Sequence, residues 1–242
     1  MTPDQRQQLR DVLRTALQTA VLPGATPEAP GGYRRTDPAP ADLTPQFIAE
    51  LTTVGGFVHQ PASSDAMAVA RVIAAIAAES AVKRALMWDD VCLPVPGLAA
   101  ALESNGFTID RQQASDLTSD ARRAELATAT FGITGADAAL SDTGSVVLVS
   151  GPGRGRLASL LPPVHVALVD RACLLRSLPD LLLARPELAT AGSNLVCITG
   201  PSRTADIEHT LSRGVHGPKE VHVILIGAGH RVSGTGDDGP PV

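Results

Sequence analysis

The stretch richest in groups that could meet a ligand is Thr199-Gly200-Pro201-Ser202-Arg203-Thr204-Ala205-Asp206-Ile207-Glu208. It leaves an apolar segment, turns at Gly-Pro, and enters a segment whose spacing predicts a helix over 204–213. The first amides of a helix lack internal acceptors and carry the positive end of its dipole. Hydroxyls and a guanidinium beside such amides make a place for a carboxylate or phosphate. Gly200, Ser202, Arg203, Thr204 and Asp206 are therefore candidate ligand-binding residues. Asp206 and Glu208 also complement the dipole, so a plain helix start accounts for the same residues.

A second stretch joins Gly132-Ile-Thr-Gly-Ala-Asp137 to Ser141-Asp142-Thr143-Gly144-Ser145. Asp137 and Asp142 flank a small-residue loop between two apolar segments, where carboxylates can act as acid and base. They are the catalytic candidates, and Thr143, Gly144 and Ser145 join the ligand-binding set. The competing reading is a hairpin loop whose Asp and Thr side chains bond their own backbone. Both loops are expected on the carboxyl edge of one sheet, lining the crevice where open α/β sheets bind ligands.

Other motifs carry less. Gly151-Pro-Gly-Arg-Gly-Arg156 lacks the lysine and hydroxyl of a phosphate loop and reads as a flexible basic turn on the opposite edge. Gly227-Ala-Gly229 has no third glycine, so no dinucleotide fingerprint and no bound cofactor are expected. The six histidines are scattered without ligand spacing, so no metal site is expected either. His216, in Gly214-Val-His-Gly-Pro218, reads as structural, roughly 15 Å from Ser202 across a short helix. A second copy of the chain is one way it would reach a site. No serine sits in a nucleophile elbow, and Cys173 and Cys197 lie in apolar segments.

The elements that must position these residues alternate. Helical spacing is expected over 5–21, 43–54, the segment after Ser63 or Ser64, 97–104, 176–186 and 204–213. Strands are expected at 57–59, 84–88, 107–110, 131–134, 146–150, 164–170, 195–199 and 221–226. Continuous apolar runs such as Val221-His-Val-Ile-Leu-Ile226 suit strands covered on both faces. The expected fold is a three-layer α/β/α domain with a mostly parallel sheet. The linker from 134 to 146 is too short for a crossover helix, so 131–134 and 146–150 are expected to pair antiparallel. Domain limits are read as an N-terminal helix and Pro-rich arm over 1–42, with five prolines between 22 and 42, an α/β domain over 43–226, and a Gly/Pro tail over 227–242.

Composition narrows the function. With 242 residues, 44% hydrophobic and 19% charged, the chain has enough apolar material for a core and is not intrinsically disordered. A net charge of -5 and 2% aromatics argue against nucleic acid as a partner. The start, Met1-Thr-Pro-Asp-Gln-Arg, has no signal-type apolar core, and no long apolar run exists, so a cytoplasmic protein is expected.

Taken together, Gly132-Ile-Thr-x-Ala-Asp-x-Ala-x-x-Asp-Thr-Gly-Ser145, Gly200-Pro-Ser-Arg-Thr-Ala-Asp-Ile-Glu208 and Gly214-Val-His-Gly-Pro218 resemble the lactate utilisation protein C family, which carries the LUD domain. The resemblance covers roughly 43–226, and Asp142 stands where relatives often carry Glu. It implies the fold of ribose-phosphate isomerase, glucosamine-phosphate deaminase and CoA transferases. It also implies a non-redox subunit working with iron–sulfur partner proteins in oxidising L-lactate. Only motif membership carries over, for Thr143, Gly144, Ser145, Ser202, Arg203, Thr204, Asp206 and His216. The expected ligand is a small anion: lactate, pyruvate or a phosphorylated metabolite. Two other readings stand beside this one: a free-standing enzyme on a phosphorylated metabolite or folate, by fold analogy alone, and an assembly or regulatory module using residues 1–42.

Overall fold

The computed structural model describes residues 3–19, 40–112, 119–205, 211–213 and 217–227. The chain divides into two compact units, residues 1–38 and 39–242. In the first, helix α1 (Pro3–Thr19) has Asp4 in its first turn and exposes Leu9, Val12 and Leu13 at helical spacing. The arm beyond it and the tail after Gly227 lie outside the described residues.

The second unit is α/β. Its helices are α2 (Thr44–Thr53), α3 (Ala66–Ile76), α4 (Leu98–Glu103), α5 (Asp120–Leu126) and α6 (Leu178–Ala184). Its first strands are β1 (Phe57–His59), β2 (Arg84–Met87), β3 (Thr108–Asp110) and β4 (Phe131–Thr134). They are followed by β5 (Ala138–Leu140), β6 (Ser145–Ser150), β7 (Val164–Asp170), β8 (Leu174–Leu175) and β9 (Asn194–Ile198), then by β10 (Arg203–Ala205), β11 (Leu211–Arg213) and β12 (Glu220–Ile226). Helix α3 starts on Asp65, whose carboxylate accepts the Ala68 amide at 2.9 Å. The expected serine caps serve other ends: Ser63 donates to Asp65, and Ser64 Oγ accepts the Gly227 amide at 2.9 Å.

The main sheet has the order β1-β12-β7-β4-β2-β3, every pair parallel. Residues 221–226 are all buried, His222 included, as their largely apolar run requires. From β2 the chain steps outward to β3, then returns past β2 to β4. Connections therefore diverge between β2 and β4, which opens a crevice at their carboxyl ends.

The antiparallel pair exists, but not between the expected strands. Gly135-Ala-Asp137 takes the chain out of the main sheet after β4, and β6 pairs with β5 in a second sheet of order β8-β5-β6-β9. Three residues, Ala138–Leu140, suffice for that strand, and so short an apolar run has no signal of its own. Side-chain alternation then splits this sheet between two cores. Ala139, Val146 and Leu148 enter the main core, whereas Ala138, Leu140, Val147 and Val149 meet Leu181 of α6 and Leu188.

Among the described residues, the two ends of the helix expected over 204–213 are strands. Residues 203–205 and 211–213 pair as an antiparallel ribbon, Arg203 opposite Arg213. Thr and Ser are weak helix formers because their hydroxyls offer the backbone alternative partners, so helical spacing at Thr204 and Ser212 is a weak signal.

Two contacts seat the centre of the main sheet. A Cβ on Gly132 would lie 1.7 Å from the Ala158 carbonyl oxygen, so the 156–159 turn rests directly on the β4 backbone. Beside it, fully buried His165 shares a 2.9 Å hydrogen bond with Thr134, while its Nδ1 has no partner among the described residues. Burial, and then the nearby His222, hold the His165 pKa down at about 4. Burial also lowers those of His59 and His222, whose rings meet at 2.9 Å.

An unfolded histidine takes its proton near 6.5, whereas folded His165 refuses one until about 4. The unfolded chain thus binds more protons across that window, and stability falls as pH falls through it. His165 alone should remove about 3 kcal/mol between pH 6.5 and 4. Denaturant unfolding along a pH series checks this: His165→Gln should flatten the decline, and identical profiles for both proteins would contradict it.

Candidate functional site

The two motif loops do meet, at the amino edge of the main sheet. Helix α2 buries Phe47 and Leu51 and ends just before β1. The Ser141–Gly144 turn packs onto it so closely that a Cβ on Gly144 would lie 2.3 Å from the Leu51 nitrogen. Gly144 also has φ +64°, so only glycine fits both the turn and the approach. From the other side, a Cβ on Gly200 would come within 2.8 Å of Val54. Hydroxyls tie the loops together: Thr143 Oγ1 lies 2.8 Å from Ser145 Oγ, and Ser145 Oγ lies 2.6 Å from Thr199 Oγ1. The Ser202 amide donates to the Pro218 carbonyl at 2.9 Å, just ahead of β12. Arg203 donates to the Val54 carbonyl at the end of α2. That bond meets the negative end of a helix, so the guanidinium serves as a cap.

Thr204 lies in β10, opposite Ser212. Asp206 and His216 lie outside the described residues. With no helix starting at 203, the amide notch on which the anion reading rested is not formed. The hydroxyl cluster sits at the amino ends of β1 and β12, not the carboxyl ends, because β5 and β6 reverse the chain between Thr134 and Ser145. The two aspartates are separated by the same reversal. Asp142 is exposed in the turn, while Asp137 sits at the far end of β5. There Asp137 accepts the Val149 amide at 2.8 Å and pairs with Arg154 at 2.6 Å. It fastens β6 and the following loop, and it does not face Asp142 across a ligand.

The carboxyl edge holds what the sequence left as a turn. Residues 151–156, placed on the opposite edge by the hairpin reading, instead fold over the ends of β2 and β3, since β6 runs toward this edge and not away from it. The Asp89 amide donates to the Gly153 carbonyl at 2.9 Å, and Trp88 Nε1 donates to the Gly155 carbonyl at 3.1 Å. Gln112, after β3, accepts the Leu157 amide at 2.9 Å. Side chains at 153 or 155 would collide with Asp89 or Gln112, which is why the loop carries glycines at these positions. The result is a cleft of about 650 Å³ lined by Asp89, Arg111, Gln112, Ser150, Arg154, Arg156 and Ser193. A smaller hollow of about 350 Å³ shares Ser150 and Arg154 with it and reaches Asp137 and Arg185.

Three guanidiniums border this cleft. Arg154 lies 5.5 Å above the Trp88 ring and is held by Asp137. Arg111 lies 3.6 Å from Asp89, a loose pair, and Arg156 is exposed with no ion pair among the described residues. Cys92 lies beside the loop, its sulfur 4.0 Å from the Pro152 carbonyl oxygen. Cys173 is not a candidate nucleophile: burial, with Asp170 and Asp137 nearby, pushes its thiol up to about 12. The sequence alone singles out neither Asp89 nor Arg111, and it reads the basic, Gly-rich stretch that carries Arg154 and Arg156 as a flexible turn on the opposite edge, although that stretch directly follows a strand.

Fold and cleft together define an α/β protein with a basic crevice at the switch point of a parallel sheet. The LUD domain model matches residues 44–226, and the chain belongs to that family. One relative, lactate utilization protein C of Halalkalibacterium halodurans, is 32% identical over 153 residues, 61% of this chain and 64% of that protein. Its namesake from Exiguobacterium sp. is 38% identical over 105 residues, 40% of this chain and 44% of that protein. These matches span less than two thirds of the relatives' own length. A crystal structure of a DUF162 family protein from Deinococcus radiodurans shares the fold, with TM-score 0.56 and 21% identity over 78% of this chain and all of that one. Among the described residues no helix is long and apolar enough to cross a membrane.

Gly144→Ala should cost about 3 kcal/mol or prevent folding, because it combines positive φ with backbone overlap. Arg203→Ala should cost only about 1 kcal/mol, the worth of one exposed capping bond. Urea midpoints of the two variants test the ranking, and the reverse order would overturn it.

Proposed function

We propose that this chain serves lactate utilisation as a non-redox component beside iron–sulfur partner proteins, holding a small anion at the carboxyl edge of its main sheet. The reading of the system rests on the relatives named lactate utilization protein C. The reading of the site rests on one observation: the guanidinium-lined cleft between the ends of β2, β3 and β6. Oxidising L-lactate to pyruvate removes two electrons and two protons. In this proposal the partner clusters take the electrons, and this chain supplies binding and orientation. Guanidiniums suit that role because they stay charged and present paired donors to planar or tetrahedral anions. The hydroxyl cluster of Thr143, Ser145 and Thr199, with Gly144, Gly200 and Ser202, is then a joint between α2 and the second sheet.

The test is growth on L-lactate by a bacterium deleted for its own lactate utilization protein C. Supplying this chain should restore growth, and the Arg154→Ala, Arg156→Ala double variant should restore it poorly while accumulating to the same level. No growth with folded wild-type chain present overturns the assignment to this system. Full growth with the double variant overturns the site.

A further inference from the structure

We infer that the carboxyl-edge cleft takes an organic phosphate rather than a free three-carbon acid. This rests on the proposal that the cleft is the ligand site, and it names the ligand class. Size is the first observation. The cleft measures about 650 Å³, and a second hollow of about 350 Å³ shares Ser150 and Arg154 with it. Volumes of roughly 300–1,000 Å³ enclose ligands of drug or cofactor size. A three-carbon acid would leave most of the space to water.

Donor arrangement is the second observation. One guanidinium fork satisfies the planar oxygen pair of a carboxylate. This cleft offers two forks from separate segments, Arg111 following β3 and Arg156 following the glycine loop. Arg156 has no ion pair, and the backbone amides of Gly153 and Gly155 have no acceptor among the described residues. Donors from several directions suit a tetrahedral group with three terminal oxygens, as in other backbone-lined phosphate cradles. Asp89, beside Arg111 on the cleft lining, can also accept hydroxyl or amino protons and so favours a ligand with a donor-bearing body next to its phosphate.

The molecule carries its own reporter. Trp88 is the single tryptophan of the chain, and it lies under Arg154 with its indole bonded to the Gly155 carbonyl. An anion that draws on this loop alters that contact and the emission of Trp88. Full-length protein is titrated with inorganic pyrophosphate, and separately with L-lactate and pyruvate, following Trp88 fluorescence and calorimetric heat. Variants are Arg156→Ala and Arg111→Ala, with exposed Arg71→Ala on α3 as control and circular dichroism to confirm folding.

Saturable pyrophosphate binding, weakened about tenfold by either cleft variant and unchanged by the control, is the expected result. Lactate or pyruvate binding that depends on Arg156, without pyrophosphate binding, overturns the phosphate inference and leaves the proposed site standing. Pyrophosphate binding indifferent to Arg111 and Arg156 overturns the inference. Absence of any Arg156-dependent binding overturns both the inference and the site.

Discussion

Every residue of β6 is buried, and that double burial fixes what happens at each of its ends. A strand with one wet face can slip by two residues at modest cost; one buried on both faces cannot slip at all. Val146 and Leu148 fill the main core while Val147 and Val149 fill the smaller one against α6, so both cores vote on one register. At its start, that register sets Ser145 against Thr199 and lowers Gly144 onto α2. At its end, it delivers residues 151–156 over β2 and β3 with Gly153 against Asp89. The hydroxyl joint and the basic cleft are thus the two ends of one immobile rod, roughly 17 Å apart by strand rise.

The chemistry divides along the same rod. Groups at the amino end satisfy one another: hydroxyl to hydroxyl, Arg203 to the last carbonyl of α2, the Ser202 amide to Pro218. Groups at the carboxyl end are only partly satisfied. Arg154 is tied to Asp137, but Arg111 is held loosely and Arg156 is unpaired among the described residues. Internally closed polar networks lend rigidity, whereas donors left over on a concave surface are what a ligand can use.

Much of this was legible beforehand. Apolar runs such as 164–170 and 221–226 mark buried parallel strands, and both form as read. The Thr143-Gly-Ser and Gly200-Pro-Ser motifs were read as neighbours, and Ser145 and Thr199 do touch. The wrong edge was assigned because β5 is three residues of Ala-Ala-Leu, below any periodic signal, and missing it reverses the sense of everything between 134 and 150. The pairing of 203–205 with 211–213 escapes the sequence for a different reason. Apolar residues three and four apart suit either state when the intervening residues are Thr and Ser, and only pairing across the ribbon decides. The cleft itself draws on segments near residues 89, 111, 154 and 193, a juxtaposition that no local window contains.

Gly132 has a longer reach than its size suggests. With no room for even a methyl group between β4 and the Ala158 carbonyl, the turn after the cleft loop is seated on bare main chain. No exchange at position 132 can loosen or re-aim it without disrupting the central strand. The rim residue Arg156 is under no such constraint, since its side chain faces water, whereas Arg154 is tied to Asp137. Exchanges at position 156 can therefore change the charge on the cleft's rim while leaving the pedestal beneath it untouched.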